Sequence, residues 1–184
     1  MQFKQKKFSN EIHFDFSDNF LHYYSKDKSG SEKFSVKYLQ ISFDSIRELV
    51  ERNSWYKMAG IFWIFLGVIQ MAYSLKEGLA FRIPFWLIVG CFTYLIYFIN
   101  VVKYTMLRSE NGDIYIINDN KHDEIFNEIK NRRRSALRSL YGAVDSCNEP
   151  ETELEKFDWL LREDAITHEE YAAAKVAILS RKKG

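Results

Sequence analysis

MAGIFWIFLGVIQMAYSL (residues 58–75) and IPFWLIVGCFTYLIYFINVV (residues 83–102) decide the fold. Neither run contains Asp, Glu, Lys or Arg. Lys57 and Lys76 bracket the first, and Arg82 and Lys103 bracket the second. About 18 to 20 apolar residues reach roughly 27 to 30 Å as a helix, enough to cross the hydrocarbon of a bilayer. The two runs predict a transmembrane helical hairpin, 58–75 and 83–102, closed by a short loop. The competing reading, two core helices of a soluble domain, requires a polar stripe that neither run has. Trp55, Tyr56 and Tyr73 flank the first run. Phe81, Phe85, Trp86, Tyr97 and Tyr104 lie near the ends of the second, as interfacial aromatics do. Pro84 suits a first helical turn. Gln70, Thr93 and Asn100 are expected to hydrogen-bond between the helices, and Gly60, Gly67 and Gly90 to let them approach closely.

Basic residues orient the hairpin. Arg47, Arg52, Lys57, Lys103 and Arg108 lie on the flanks, against Lys76 and Arg82 in the loop. The positive-inside rule then puts both termini in the cytoplasm of a multi-pass protein of the cell (inner) membrane. Residues 1–16 have no apolar core of signal-peptide type, so the first helix is expected to serve as the insertion signal. The chain is 47% hydrophobic and 28% charged, and the charge lies outside the two runs. A net charge of +1 gives no global basic field, so no nucleic acid is expected as a partner. Cys91 and Cys147 suit a reducing compartment and lack metal spacing.

Outside the hairpin the pattern is strands and then helix. Residues 12–16 alternate, 17–19 read as a turn, 21–25 as a second strand, and Phe34, Val36 and Tyr38 as a third. Residues 41–52 fit a helix or a bent strand. Strands 104–107 and 114–117 flank Asn111-Gly112, a strong hairpin signal. A helix follows, with Asn120 as its expected cap and Asp123 and Glu124 in its first turn. Ile125, Phe126, Ile129, Leu137, Leu140, Tyr141 and Val144 form its apolar face. Neither flank closes a core alone. The expectation is an α+β membrane protein with a split cytoplasmic domain, 1–57 and 103–145, interrupted by the hairpin at 58–102.

This order of antiparallel strands followed by a helix resembles bacterial pleckstrin-homology-like domains of small membrane proteins, over roughly residues 8–140. The family's basic phosphoinositide loop corresponds here to Ser17-Asp18-Asn19, which is acidic, so inositol-lipid binding is not carried over.

Residues 146–153 read as a linker containing Pro150. Beyond it, Leu154, Phe157, Leu160 and Leu161 line one helix. Tyr171, Ala174 and Ile178 line a second. Thr167 and Glu170 form a capping box, with Ile166 and Tyr171 at the staple positions. The segment 154–180 resembles the short C-terminal domain family (SHOCT): Ile166, Thr167, Glu169, Glu170, Lys175 and Leu179 match, Tyr171 replaces Phe, and Asp164 replaces a usual Gly. The resemblance implies a helix pair for oligomerisation or partner recruitment. Leu154, Phe157, Leu160, Leu161, Ile166, Tyr171 and Ile178 are its candidate interface.

No catalytic constellation emerges. His13, His22, His122 and His168 are scattered and read as surface residues. No cofactor or metal is expected, and no Gly-rich phosphate loop or nucleophile elbow is present. Lys130, Arg132, Arg133, Arg134 and Arg138 cover more than one helix face. They read as a solvated stretch partly paired to the acidic linker, or as a contact for anionic lipid headgroups joined by Lys4, Lys6 and Lys7. The sequence therefore predicts a non-enzymatic membrane scaffold or adaptor. A pore-forming or membrane-perturbing effector is the alternative.

Overall fold

Period-two alternation builds the first sheet. The computed structural model describes residues 1–78 and 83–181. Strands β1 (Gln2–Lys7), β2 (Asn10–Phe16), β3 (Phe20–Lys26) and β4 (Ser31–Lys37) pair antiparallel in sequence order. A 3-10 turn (Tyr38–Gln40) leads to β5 (Ile41–Arg52). Then come helices α1 (Ser54–Lys76) and α2 (Phe85–Ile99), strands β6 (Val101–Ser109) and β7 (Gly112–Ile117), and helices α3 (His122–Tyr141), α4 (Pro150–Arg162) and α5 (His168–Arg181). β5, β6 and β7 form a second, three-stranded sheet. The molecule is thus α+β, with two antiparallel sheets.

The chain divides into two compact units. One joins Met1–Arg47 to the chain from Thr105 onward, and the other is Glu48–Tyr104. In the first unit one face of the four-stranded sheet is buried: Phe3, Ile12, Phe14, Phe16, Leu21, Tyr23 and Val36 are each at most 9% exposed. Register sets Phe3 opposite Phe14 and Tyr23 opposite Phe34. An edge contact between Phe14 and Tyr23 (ring centroids 5.6 Å apart) and a tilted one between Tyr23 and Phe34 (5.0 Å) continue the aromatic row. β7 supplies Ile114, Ile116 and Ile117 to this core, and α3 supplies Ile125 and Ile129, all fully buried. Two polar ties fix β7. The buried Gln5 amide donates to Ile117 O at 2.8 Å and accepts from Ile117 N at 2.9 Å. Tyr23 Oη accepts from Tyr115 N at 3.2 Å, while burial pushes the Tyr23 phenol up to about 12.

Several expectations are corrected. β1 is a strand that alternation in apolar residues does not reveal, because its second inward residue is Gln5. Its outward Lys4 pairs with Glu11 at 2.7 Å; Lys4 first and His13 second hold the Glu11 carboxyl down at about 2. Residues 41–52 are strand throughout. Asn111 does not adopt a positive φ; Gly112 does (φ +147). The cap residue of α3 is Lys121, not Asn120, and Asp119 Oδ1 accepts the Lys121 N–H at 2.9 Å. Leu140 and Tyr141 are exposed rather than on the buried face. The linker is shorter than 146–153, because Pro150 occupies the first turn of α4.

The second unit contains α1 and α2, packed antiparallel. Gly60 faces Tyr94, Gly67 faces Leu87 and Gly90 faces Ile64. A Cβ at these positions would stand 2.9, 2.6 and 2.5 Å from the opposing backbone. Trp63 and Trp86 stack at 4.6 Å. Asn53 caps α1 by accepting the Trp55 N–H at 3.1 Å. α1 spans 23 residues, about 34 Å. It is the one helix among the described residues long and apolar enough to cross a membrane. α2 has 15 residues, about 22 Å, and stops at Ile99. The expected second span to 102 is therefore too long by three residues, because Val101 and Val102 already begin β6. Thr93 donates to Val89 O in its own helix at 2.8 Å rather than across the hairpin. Phe81, Arg82 and most of the expected loop lie outside the described residues.

Candidate functional site

The basic run of α3 is sorted by helical geometry. Positions 130, 133, 134, 137 and 138 share one stripe. Arg132 faces another way. Its Nε pairs with Glu128 at 2.6 Å, its Nη1 donates to Ser17 O at 2.9 Å, and its guanidinium lies 5.6 Å from the Phe16 ring. Arg132 is therefore part of the joint between helix and sheet.

The stripe meets the turn between α4 and α5. Lys130 Nζ lies 2.8 Å from Asp164 Oδ2, and Arg133 Nη2 lies 2.6 Å from Glu163 Oε2. Arg134 pairs with the same Asp164 carboxylate, and Arg138 with Glu170. Leu137 sits among these cations and is buried with Phe157, Leu160, Ala165, Ile166, Ala174 and Ile178. Leu39, Val144, Leu154, Trp159, Leu161 and Tyr171 pack around that cluster. The result is an apolar centre with a charged rim, in which α4 and α5 are clamped onto α3. The partners of the arginines are these turn residues, not the linker acids that the sequence suggested. Sequence spacing gives no signal for pairs that lie about 30 residues apart.

The turn follows from its own residues. Ala165 N donates to Leu160 O at 2.9 Å and Asp164 N to Leu161 O at 3.0 Å, the paired bonds of a Schellman stop. That motif needs a left-handed residue, usually Gly. Asp164 fills it at φ +58. Asp tolerates this region better than bulkier residues do, and here its carboxylate is used. The Lys130 ammonium first, and then the Arg134 guanidinium, hold the Asp164 carboxyl below its ordinary value. Three residues on, Thr167 N donates to Glu170 Oε2 at 3.0 Å, and Glu170 N to Thr167 Oγ1 at 3.2 Å. The expected capping box is present, and its Glu170 also receives Arg138. One carboxylate thus starts α5 and binds α3.

Below the turn, Glu153 is 1% exposed. Burial raises its carboxyl, but bonds from Lys156, Asn148 and the Asp145 N–H outweigh this and leave it lowered. These bonds (Lys156 at 2.7 Å, Asn148 at 2.8 Å) hold the linker against α4.

Of the expected interface residues, Phe157, Leu160, Ile166 and Ile178 are buried within the clamp, and Leu154, Leu161 and Tyr171 are half-buried against it. Val176 and Leu179 on α5 remain exposed.

Of the histidines, His122 is half-buried rather than freely exposed. Its side chain is 20% exposed, with Nε2 2.8 Å from Thr105 Oγ1 and Nδ1 2.8 Å from Asp123 Oδ1. The chain Thr105, His122, Asp123 has the order of an activated nucleophile. However, Thr105 is 6% exposed and its hydroxyl also donates to Asn118 at 3.0 Å, so the group ties β6 to α3 instead. Among the described residues no three His, Cys, Asp or Glu side chains gather as a metal site.

No family model, no curated protein and no solved structure matches the chain.

Proposed function

We propose that the chain is a non-enzymatic integral membrane scaffold or adaptor. The α1–α2 hairpin anchors it in the cell membrane with both termini in the cytoplasm, where its sheets and α3 carry a C-terminal helix pair for oligomerisation or partner recruitment. The observation that carries the membrane reading is exposure. Trp55, Met58, Phe62, Phe65 and Tyr73 on α1, and Phe85, Phe92 and Ile99 on α2, are each more than half exposed, on helices whose only charged residues are Lys57 and Lys76 near the ends of α1. A patch of that size marks a contact with a membrane or another protein and supports the anchor. The glycine contacts support close helix packing of the kind that works in lipid, where small residues rather than water drive association. The self-contained cap, stop and acidic turn of the helix pair support its role as an adaptor module.

The test is the native mass of the detergent-solubilised protein, full length beside a version ending at Glu149, after a carbonate wash of the membranes. A protein that resists the wash and forms an oligomer lost on truncation supports the reading. Release by carbonate overturns the anchor. An oligomer unchanged by truncation removes assembly from the helix pair. The alternative, a small pore, predicts conductance in planar bilayers. The three helix-contact glycines are used within one hairpin, and Thr93 bonds its own helix, so neither feature favours that alternative.

A further inference from the structure

We infer that the basic stripe of α3 (Lys130, Arg133, Arg134, Arg138) is a masked contact for an anionic lipid surface, and that the acidic turn Glu163–Asp164 with Glu170 is its internal competitor. The inference rests on the membrane reading above and gives that reading a trigger.

The charges do not balance. Four cations face three carboxylates, and one carboxylate, that of Asp164, serves both Lys130 and Arg134. The Nε atoms of Arg133 and Arg134 are buried and make no hydrogen bond among the described residues. Each guanidinium therefore meets its carboxylate with fewer donors than the bidentate fork can offer. A lipid phosphate has several anionic oxygens to offer the more exposed Lys130, Arg134 and Arg138.

Exchange between the two sets of oxygens is easiest at Lys130, Arg134 and Arg138, since the Arg133–Glu163 pair is only 11% and 17% exposed. The side chains of Lys130, Arg134 and Arg138 are 39%, 37% and 57% exposed, and Asp164 is 56% exposed. Pairs so open to water are weak and screened by salt. Asp164 is held in a left-handed conformation (φ +58), a strained one for a residue other than glycine. A bilayer that holds the chain also raises the effective concentration of its headgroups. Arg132 takes no part, since it is held by Glu128 and Ser17. Nucleic acid is disfavoured as the occupant by the net charge of +1 and the shortness of the stripe.

Opening has a second effect. Leu137 lies inside the stripe and inside the apolar cluster of the helix pair. Lifting the turn from α3 uncovers Leu137 and the faces of α4 and α5 that pack on it. Lipid contact and partner recruitment are then the two halves of one transition.

The experiment is amide hydrogen exchange on the full-length protein in nanodiscs of phosphatidylcholine alone, or of phosphatidylcholine with phosphatidylglycerol, at equal ionic strength. Exchange in α4 and α5 should rise about tenfold with phosphatidylglycerol, a decade in the local opening equilibrium, while β2 and β3 stay protected. Arg134→Gln with Arg138→Gln should abolish the lipid response. Glu163→Gln with Asp164→Asn should exchange fast already in phosphatidylcholine. Protection of β2 and β3 in each variant shows that the fold is intact. Equal exchange in the two lipids overturns the inference. Inorganic phosphate that reproduces the effect in phosphatidylcholine discs also overturns it, by assigning the stripe to a soluble anion. A protein that does not stay in the discs fails the membrane reading and takes this inference with it; a protein retained but insensitive to lipid fails this inference alone.

Discussion

The chain contains two helical hairpins held by opposite means. α1 and α2 meet through Gly60, Gly67 and Gly90 and a pair of stacked tryptophans. α4 and α5 close on α3 through leucines ringed by ion pairs, a capping box and a Schellman stop. The first hairpin leaves large apolar side chains outside. The second puts them inside and charge at the rim. Shape complementarity without charge works where the surroundings are apolar, because no hydrophobic force then separates inside from outside. An amphipathic hairpin needs water on one side. On the proposed membrane reading, the two interfaces suit two different solvents.

The contrast can be broken in order of size. Leu160 is fully buried at the centre of the second hairpin. Leu160→Ala should cost about 3 to 4 kcal/mol and undock α4 and α5, read as protease sensitivity beyond residue 142, with the first hairpin unaffected. Gly90→Leu should act the other way round. Its added Cβ meets the Ile64 backbone at 2.5 Å, and overpacking of about 2 to 3 kcal/mol should lower the thermal midpoint in detergent while leaving the helix pair docked. Asp164 gives a finer cut. Asp164→Ala loses both ion pairs and keeps the left-handed backbone, whereas Asp164→Gly loses the pairs and relieves the backbone. The alanine variant should be less stable by about 1 kcal/mol in denaturant unfolding. Equal stability would show that φ at this turn does not matter.

The smallest effect is that of acid. The Asp164 carboxyl is lowered in the folded chain, so its contribution is complete above the ordinary aspartate value near 4 and is lost as pH falls below it. Docking of α4 and α5, followed by amide exchange, should loosen below about pH 4 and not between pH 6 and 8. The two apolar runs carry no carboxylate, so contacts between α1 and α2 should not change over the same range.

What the sequence made legible follows the same division. Alternation revealed β2 and, with Tyr38 falling just beyond it in the 3-10 turn, β4; the Asn111-Gly112 turn was found between the strands read at 104–107 and 114–117, though with Gly112 alone at positive φ. Helix signals were local too: the Thr167 and Glu170 box was readable from spacing. β1 escaped because Gln5 is buried through hydrogen bonds rather than apolarity. β5 stayed open between helix and bent strand because only Ile41 among its residues is buried, which leaves no alternation to see. The junction of α2 and β6 was hidden by a continuous apolar run, in which only the β-branched Val101 and Val102 mark the change. The arginine stripe was visible, but its partners were not. Glu163, Asp164 and Glu170 read locally as turn and cap residues, and only tertiary packing brings them to α3.

The tie between Gln5 and Ile117 spans 112 residues of chain. A ribosome adding about 5 to 20 residues per second needs roughly 6 to 22 s to make the second partner after the first. Through that interval the inner face of β1 to β4, with Phe14, Leu21 and Tyr23, has nothing to pack on, while α1 and α2 are still emerging. Maturation of this protein is thus timed by its interruption: the first sheet must be kept from aggregating until β7 and α3 have been made. A cell short of chaperones would be expected to lose the nascent amino-terminal half first.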